Sequence, residues 1–121
     1  MDIEVEEYCE GIPGKLEKQL FALFYKKRFL DLIHNFVIFD KGIKKVCRYN
    51  QYYAIKRAQH RLTDKKSGGI VWHTQGSGKS LTMVWFSKWI LENNPNARVL
   101  VVTDREELDE QIEKNYKGVD E

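Results

Sequence analysis

Residues 70–83 read IVWHTQGSGKSLTM, and this stretch decides the fold. With Gly69 in front, it opens with a short apolar run behind turn-forming residues, which predicts a buried strand over residues 69–72. Residues 76–80 read GSGKS and match the end of the phosphate-binding pattern G-x-x-x-x-G-K-[ST]. Residues 80–92 follow and predict a helix with apolar side chains on nearly all sides. Such a helix must be covered by other parts of the protein. A strand, a glycine-rich loop and a helix in this order indicate a nucleotide-binding loop.

The residue types of this loop suit phosphate chemistry. Its glycines allow successive backbone N–H groups to converge on phosphate oxygens, and the helix N-terminus adds its positive end. Lys79 can reach the β- and γ-phosphates, and the Ser80 hydroxyl can ligate Mg²⁺. Because His73 stands in place of the first glycine, the match is to the shorter core GxGK[ST], and a glycine-rich turn without a ligand is the alternative. The candidate nucleotide-binding residues are Thr74, Gln75, Gly76, Ser77, Gly78, Lys79 and Ser80, with Lys79 and Ser80 as the catalytic pair.

A second apolar run follows the covered helix. Residues 98–102 read RVLVV and predict another buried strand. Asp104 and Glu107 have the spacing of a capping box, which predicts a last helix over residues 105–116. Strand, helix, strand and helix in this order predict a βαβ unit with parallel strands.

The first half of the chain predicts mostly helix. Apolar residues recur near helical spacing over residues 15–35, which predicts one or two amphipathic helices. Residues 36–39 read FVIF and form either a short strand or the buried end of a helix. The helical pattern returns over residues 49–62, and its predicted buried side is formed by Tyr52, Ile55 and Gln59.

Charge is distributed unevenly along the 121 residues. The net charge is only +2, yet residues 41–66 hold nine basic residues and one acidic residue. The flanks are acidic, since residues 1–14 hold five acids and no base, and residues 92–121 hold nine acids and four bases. The basic block is either a surface that faces the phosphates of a nucleic acid or nucleotide, or a solvated helix face.

The composition narrows the class of protein. A hydrophobic share of 42% and a charged share of 31% are those of a globular chain and exclude a low-complexity one. Cys9 and Cys47 stand 38 positions apart without a CxxC spacing, so neither a zinc site nor a disulfide framework is indicated. No apolar run is long enough to cross a bilayer, and the acidic N-terminus does not resemble a signal peptide, so we expect a cytoplasmic protein.

Several blocks of the chain together resemble the motor subunit of type I restriction-modification enzymes, which are superfamily 2 DNA translocases. Residues 70–83 are similar to motif I of that family, including its His-Thr-Gln lead-in. Residues 48–54, RYNQYYA, are similar to its adenine-reading block, and residues 99–111, VLVVTDREELDEQ, to its motif Ia. Residues 29–40, FLDLIHNFVIFD, are similar to the part that joins nuclease and motor domains. The resemblance covers about residues 26–116.

This resemblance implies a fold and a domain division. The fold is α/β, a partial RecA-like P-loop domain that holds the first βαβ unit of a parallel sheet and is preceded by a helical segment. Residues 1–47 would form the helical lead-in toward the motor. Residues 48–121 would form the N-terminal part of the ATPase domain.

The resemblance also implies ligands and partners. ATP and Mg²⁺ would be the cofactors, with Arg48 and Gln51 at the adenine, and duplex DNA would be the substrate, with Arg105 near its backbone. The partners would be the specificity and methyltransferase subunits of a restriction complex, with no membrane. From the residues alone, Gln51 could instead be a surface residue of a helix, and Arg105 could pair with neighbouring acids.

Some parts of a complete motor are not visible in the sequence. No Asp-Glu-x-His strand end follows residue 80, and neither an arginine finger nor the nuclease carboxylates can be assigned. We therefore expect a natural or engineered fragment of an ATP-dependent, DNA-translocating and DNA-cleaving subunit that does not hydrolyse ATP at a useful rate alone. The alternatives are another superfamily 2 helicase, a P-loop kinase, or a non-catalytic nucleotide- or DNA-binding module, including an inactive truncated product.

Overall fold

The computed structural model describes residues 3–104, 110, 112–114, 116 and 117. The chain divides into two compact units, Met1–Phe36 and Val37–Glu121. The first unit is helical, and the second holds a β-hairpin and the elements around the glycine-rich loop. The second unit therefore contains the candidate site.

The first unit consists of α1 (Ile3–Tyr8), α2 (Lys15–Phe24) and α3 (Lys26–Asn35). The predicted amphipathic region over residues 15–35 is confirmed as two helices. They are separated at Tyr25, whose φ of −55° and ψ of 124° are not helical. The Tyr25 carbonyl accepts the N–H of Phe29 at 2.8 Å and so begins the hydrogen-bond pattern of α3.

The second unit begins with an antiparallel hairpin of β1 (Val37–Asp40) and β2 (Ile43–Val46). The first strand resolves the alternative that the sequence left open at residues 36–39. Lys41 and Gly42 form the turn with φ values of 50° and 76°, the left-handed backbone that short hairpin turns require. The strand β2 was not predicted, because its sequence IKKV is mostly exposed and alternates weakly.

Two helices form the core of the second unit. Helix α4 (Tyr49–His60) continues into a π-helical turn over Arg61–Lys65, and α5 (Lys79–Asn93) follows the glycine-rich loop. The predicted buried side of α4 is confirmed, since its buried residues are Gln51, Tyr52, Ile55 and Gln59. Helix α5 packs against α4 and buries Thr82, Val84, Trp85 and Ser87. Ile55 of α4 and Trp85 of α5 are each only 1% exposed, so both belong to the buried core.

The predicted parallel sheet is not found in the described part of the chain. The segments 69–72 and 98–102, predicted as buried strands, take part in no β-ladder, and the only sheet among the described residues is the hairpin. Ile70 is 89% exposed and Leu100 is 86% exposed. An apolar run shows that burial would be favourable, but a strand also needs a neighbour that pairs its backbone groups. Neither segment is paired with another strand among the described residues, so the structure shows helices with one antiparallel hairpin and does not show the predicted parallel RecA-like sheet.

The predicted last helix is described only in part. Residues 110, 112–114, 116 and 117 are helical, and Ile112 is buried. The Tyr116 hydroxyl lies 2.6 Å from Ser87 Oγ of α5, which joins this segment to the core. The predicted capping box lies outside the described residues at Glu107. No helix in the part of the chain that the structure describes is long and apolar enough to span a membrane.

Two matched substitutions test this core. Ile55→Ala removes a side chain that is 1% exposed, so we expect it to lower the free energy of unfolding by about 2–5 kcal/mol. Ile70→Ala makes the same change at a side chain that is 89% exposed, and we expect less than about 0.5 kcal/mol. Urea denaturation followed by circular dichroism measures both. Equal losses would show that residues 69–72 are buried as a strand after all.

Candidate nucleotide-binding loop

The glycine-rich loop is a tight turn that leads directly into α5. The Ser77 N–H donates to the Thr74 carbonyl at 3.3 Å, which closes the turn. Gly76 has a φ of 75° and Gly78 a φ of 82°, a region in which a side chain is strained. These two glycines reverse the chain so that Lys79 begins α5.

The loop lies at the positive end of α5. The first N–H groups of an α-helix have no acceptor inside the helix, and together with the helix dipole they attract anions. The Gly78 carbonyl begins the helical pattern by accepting the N–H of Thr82 at 3.1 Å, and Thr82 Oγ1 donates to the same oxygen at 3.1 Å. Residues 74–80 therefore present backbone donors at the start of a helix that packs into the core.

The Lys79 side chain folds back over the loop. Its Nζ donates to the carbonyls of His73 at 3.1 Å and of Thr74 at 2.8 Å, and the residue is exposed. Ser80, the next residue of α5, is half-buried. Lys79 and Ser80, the predicted catalytic pair, are thus the first two residues of α5.

Two polar atoms, one in the loop and one in the residue before it, are buried without a hydrogen-bond partner among the described residues. They are Ser77 Oγ and His73 Nδ1. Thr74, Gln75 and Gly76 are exposed, whereas Gly78 is half-buried. The loop therefore has an open outer side and an inner side that packs against the protein.

The inner side of the loop contacts the first turn of α4. Gln51 Nε2 donates to the Gly78 carbonyl at 2.9 Å, and Asn50 Nδ2 donates to the Ser77 carbonyl at 3.3 Å. Gln51 Oε1 accepts the backbone N–H of Arg48 at 2.8 Å, which caps the start of α4. The structure therefore brings Gln51 to the loop, 27 residues away in sequence.

Arg48 and Arg105 are the remaining site residues that the sequence predicted. Arg48 is the exposed residue that precedes α4, three residues before Gln51. Arg105 lies outside the described residues. Asn50 was not singled out from the sequence, and its only signal was its position beside Gln51.

Within the described residues there is no cluster of three or more histidine, cysteine or acidic side chains that could hold a metal ion. Cys9 and Cys47 are not joined by a disulfide bond. The predicted Mg²⁺ ligand, Ser80, therefore supplies a single hydroxyl, which is compatible with an ion held mainly by phosphate oxygens and water.

Comparison with known proteins identifies relatives over most of the chain. Residues 50–121 match the sequence model of the SWI2/SNF2 ATPase family. The HindI endonuclease subunit of a Haemophilus influenzae type I restriction enzyme is 36% identical over 117 residues, which cover 86% of this chain and 11% of that protein. The MjaIXP subunit of Methanocaldococcus jannaschii, also named as a type I restriction enzyme endonuclease subunit, is 36% identical over 97% of this chain and 13% of its own length. The chain thus spans only about an eighth of these relatives. No solved structure matches it.

Two glycine substitutions test the contact between the loop and α4. A Cβ added at Gly78 would clash with Gln51 Nε2, whereas one added at Gly76 meets nothing within 4 Å. Both positions have a positive φ, so each alanine costs about 1–2 kcal/mol of backbone strain. We expect Gly78→Ala to cost about 1 kcal/mol more, because Gln51 must move and loses its hydrogen bond to the Gly78 carbonyl.

Denaturation of both variants measures this difference, and a Gln51→Ala background is the control. Without the Gln51 side chain, we expect Gly78→Ala and Gly76→Ala to lower the free energy of unfolding by the same amount. If Gly78→Ala kept its additional cost in that background, the contact with Gln51 would not be its cause.

Proposed function

Because the chain belongs to the SWI2/SNF2 ATPase family and is homologous to the endonuclease subunits of type I restriction enzymes, we propose that it forms the ATP-binding part of such a subunit. The observation that carries this proposal is the loop of residues 74–80, which lies at the N-terminus of α5 and is held by α4. The family model begins at residue 50, which supports a motor part over residues 48–121. Residues 1–47 would then precede the ATPase domain.

The phosphates of ATP would bind at the open side of the loop. Lys79 Nζ now donates to two uncharged carbonyls, and it would exchange them for β- and γ-phosphate oxygens. Phosphate oxygens carry negative charge and the two carbonyls do not, so the exchange adds an attraction between opposite charges. The backbone N–H groups of the loop and of the first turn of α5 would supply the remaining donors.

Ser80 would hold Mg²⁺ through its hydroxyl. The ion neutralises charge on the phosphates when it is bound. Ser80 follows Lys79 directly on the first turn of α5, so one turn of helix carries both the ammonium and the hydroxyl. The base would lie toward the first turn of α4, where the resemblance assigns it to Arg48 and Gln51.

The function of the longer protein is proposed from its relatives. It would couple ATP hydrolysis to translocation on duplex DNA and to cleavage, in a cytoplasmic complex with specificity and methyltransferase subunits. Arg105 would contact the DNA backbone. This part of the proposal rests on the homology to type I restriction enzyme endonuclease subunits and on the sequence of residues 99–111.

A binding module without turnover is the second candidate for the 121-residue chain itself. Residues 81–121 contain no Asp-Glu-x-His sequence, so the carboxylates that hold the metal and orient the attacking water are not evident. We therefore expect this chain to bind ATP and to hydrolyse it too slowly to measure above background.

Lys79→Ala tests the proposed ATP site. The variant loses the charge that would contact the phosphates, so we expect the Kd for Mg²⁺-ATP to rise by about 10- to 100-fold. Lys88→Ala is the matched control, because Lys88 lies on the same helix and pairs with Glu92 at 3.8 Å, away from the loop. Titration with a fluorescent ATP analogue measures both variants.

Two results would contradict the proposal. Equal affinities of the unmutated chain and Lys79→Ala would exclude the loop as the phosphate site. A strong DNA-stimulated ATPase activity of the 121-residue chain, lost in Lys79→Ala, would keep the site but refute the absence of turnover.

A further inference from the structure

The outer side of α4 and of the π-helical turn after it carries a line of basic residues, here called the basic row: Arg57, Arg61 and Lys65. All three residues are exposed. Arg57 follows the buried Ile55 by two residues, and Arg61 follows the buried Gln59 by two. Because two residues turn an α-helix by about 200°, the basic row lies opposite the side that packs into the core.

The π-helical turn continues this line beyond the end of α4. Its wide turn is closed by a hydrogen bond from the Lys66 N–H to the Arg61 carbonyl, five residues back. Residues four apart therefore stay on the same side, from Arg57 through Arg61 to Lys65. An α-helix rises about 1.5 Å per residue, so Arg57 and Arg61 are about 6 Å apart along the axis and the whole row is about 12 Å long.

The basic row places like charges where a solvated helix face commonly places opposite ones. Like charges four residues apart destabilise a helix, and the row contains two such pairs in succession. Elsewhere in the protein, Lys88 and Glu92, and likewise Glu113 and Lys117, are pairs of opposite charge at the same spacing. The alternative of a solvated helix face predicts this second arrangement and does not account for the row.

The acidic residue that lies within this stretch of chain does not pair with the basic row. Asp64 stands three residues after Arg61, yet its carboxylate contacts His60 and accepts the Thr63 hydroxyl at 3.1 Å. Arg61 uses one of its five N–H donors, because Nε donates to the Gly68 carbonyl at 3.1 Å. In the described part of the chain, no acidic side chain forms an ion pair with the row.

A structural role at the end of the helix explains only part of the row. The helix dipole stabilises cations in the last turn, and this effect falls off beyond that turn. It accounts for Lys65, which ends the π-helical turn, but not for Arg57, which lies eight residues earlier. A row of like charges without acidic partners suits an external anion that carries regularly spaced negative charges.

We propose that the basic row binds the phosphate backbone of duplex DNA without reading its sequence. A strand of B-DNA advances about 3.4 Å per phosphate, so a row about 12 Å long faces about three to four phosphates. Arg57 and Arg61 bind phosphate oxygens through their planar guanidinium groups, and Lys65 binds as a point charge. This inference rests on the role proposed above for the longer protein on DNA. It adds a contact surface on the side of α4 that faces away from the core.

The salt dependence of DNA binding tests this surface. The probe is a short fluorescein-labelled duplex of arbitrary sequence, and the variant combines Arg57→Gln, Arg61→Gln and Lys65→Gln. Each basic side chain that contacts a phosphate contributes about 0.9 to the slope of log K against log salt concentration, so we expect the slope of this triple variant to be smaller by about 2–3. When the salt concentration is raised about fourfold, the unmutated chain should lose about 40-fold more affinity than the triple variant.

A charge-matched variant is the control for net charge. Lys15→Gln, Lys18→Gln and Lys114→Gln together remove three exposed positive charges outside the basic row, so we expect the slope of the unmutated chain. The double variant Arg57→Lys, Arg61→Lys keeps both charges and should also keep that slope. Equal slopes of the two triple variants would refute the row as the contact surface, and so would the absence of any binding of the duplex by the unmutated chain at low salt.

Titration with the fluorescent ATP analogue separates the basic row from the proposed ATP site. Gln51, whose Nε2 contacts the phosphate loop, lies on the buried side of α4, and the row lies on the opposite side. We therefore expect the triple glutamine variant to bind ATP with the affinity of the unmutated chain, and a loss of ATP binding in this variant would contradict a separate surface. If the unmutated chain bound DNA through the row but bound no ATP, the proposed ATP site would fail while the row would stand.

Discussion

The packing of α4 against α5 is the constraint on which the second unit depends. Ile55 of α4 and Trp85 of α5 are almost fully buried, and the two helices contact each other. Because the first turn of α4 lies beside the residues that precede α5, the contact also places Gln51 beside Gly78. The hydrophobic core and the geometry of the loop therefore have the same origin.

The sequence predicts those parts of this fold that depend on local patterns. Helices α4 and α5 follow from their apolar periodicity, and the loop follows from glycines that are needed at positive φ. Strand β2 cannot be predicted in this way, because its sequence IKKV is mostly exposed and shows no clear alternation of apolar and polar residues. The two predicted parallel strands are not seen among the described residues for a different reason, since an apolar run does not specify which other strand pairs with it.

The candidate site likewise has one part that the sequence predicts and one part that it does not. The loop residues and their chemistry can be predicted, because the pattern of residues 76–80 is contiguous. The contacts of Asn50 and Gln51 with the loop cannot be predicted from the sequence. They join residues that are 27 positions apart and depend on how two helices pack. The resemblance did indicate Gln51, but for the base and not for the loop.

The exposure of residues 69–72 has a consequence for the loop itself. In a P-loop fold, a strand that is fixed in a sheet leads into the loop and a helix leads out of it. Here the strand side is open, since Ile70 and Trp72 are about nine-tenths exposed. Among the described residues, the loop is held by the start of α5 and by the hydrogen bonds from α4. In a chain with this arrangement, the bond between Gln51 and Gly78 fixes the peptide that a sheet-anchored strand would otherwise help to fix.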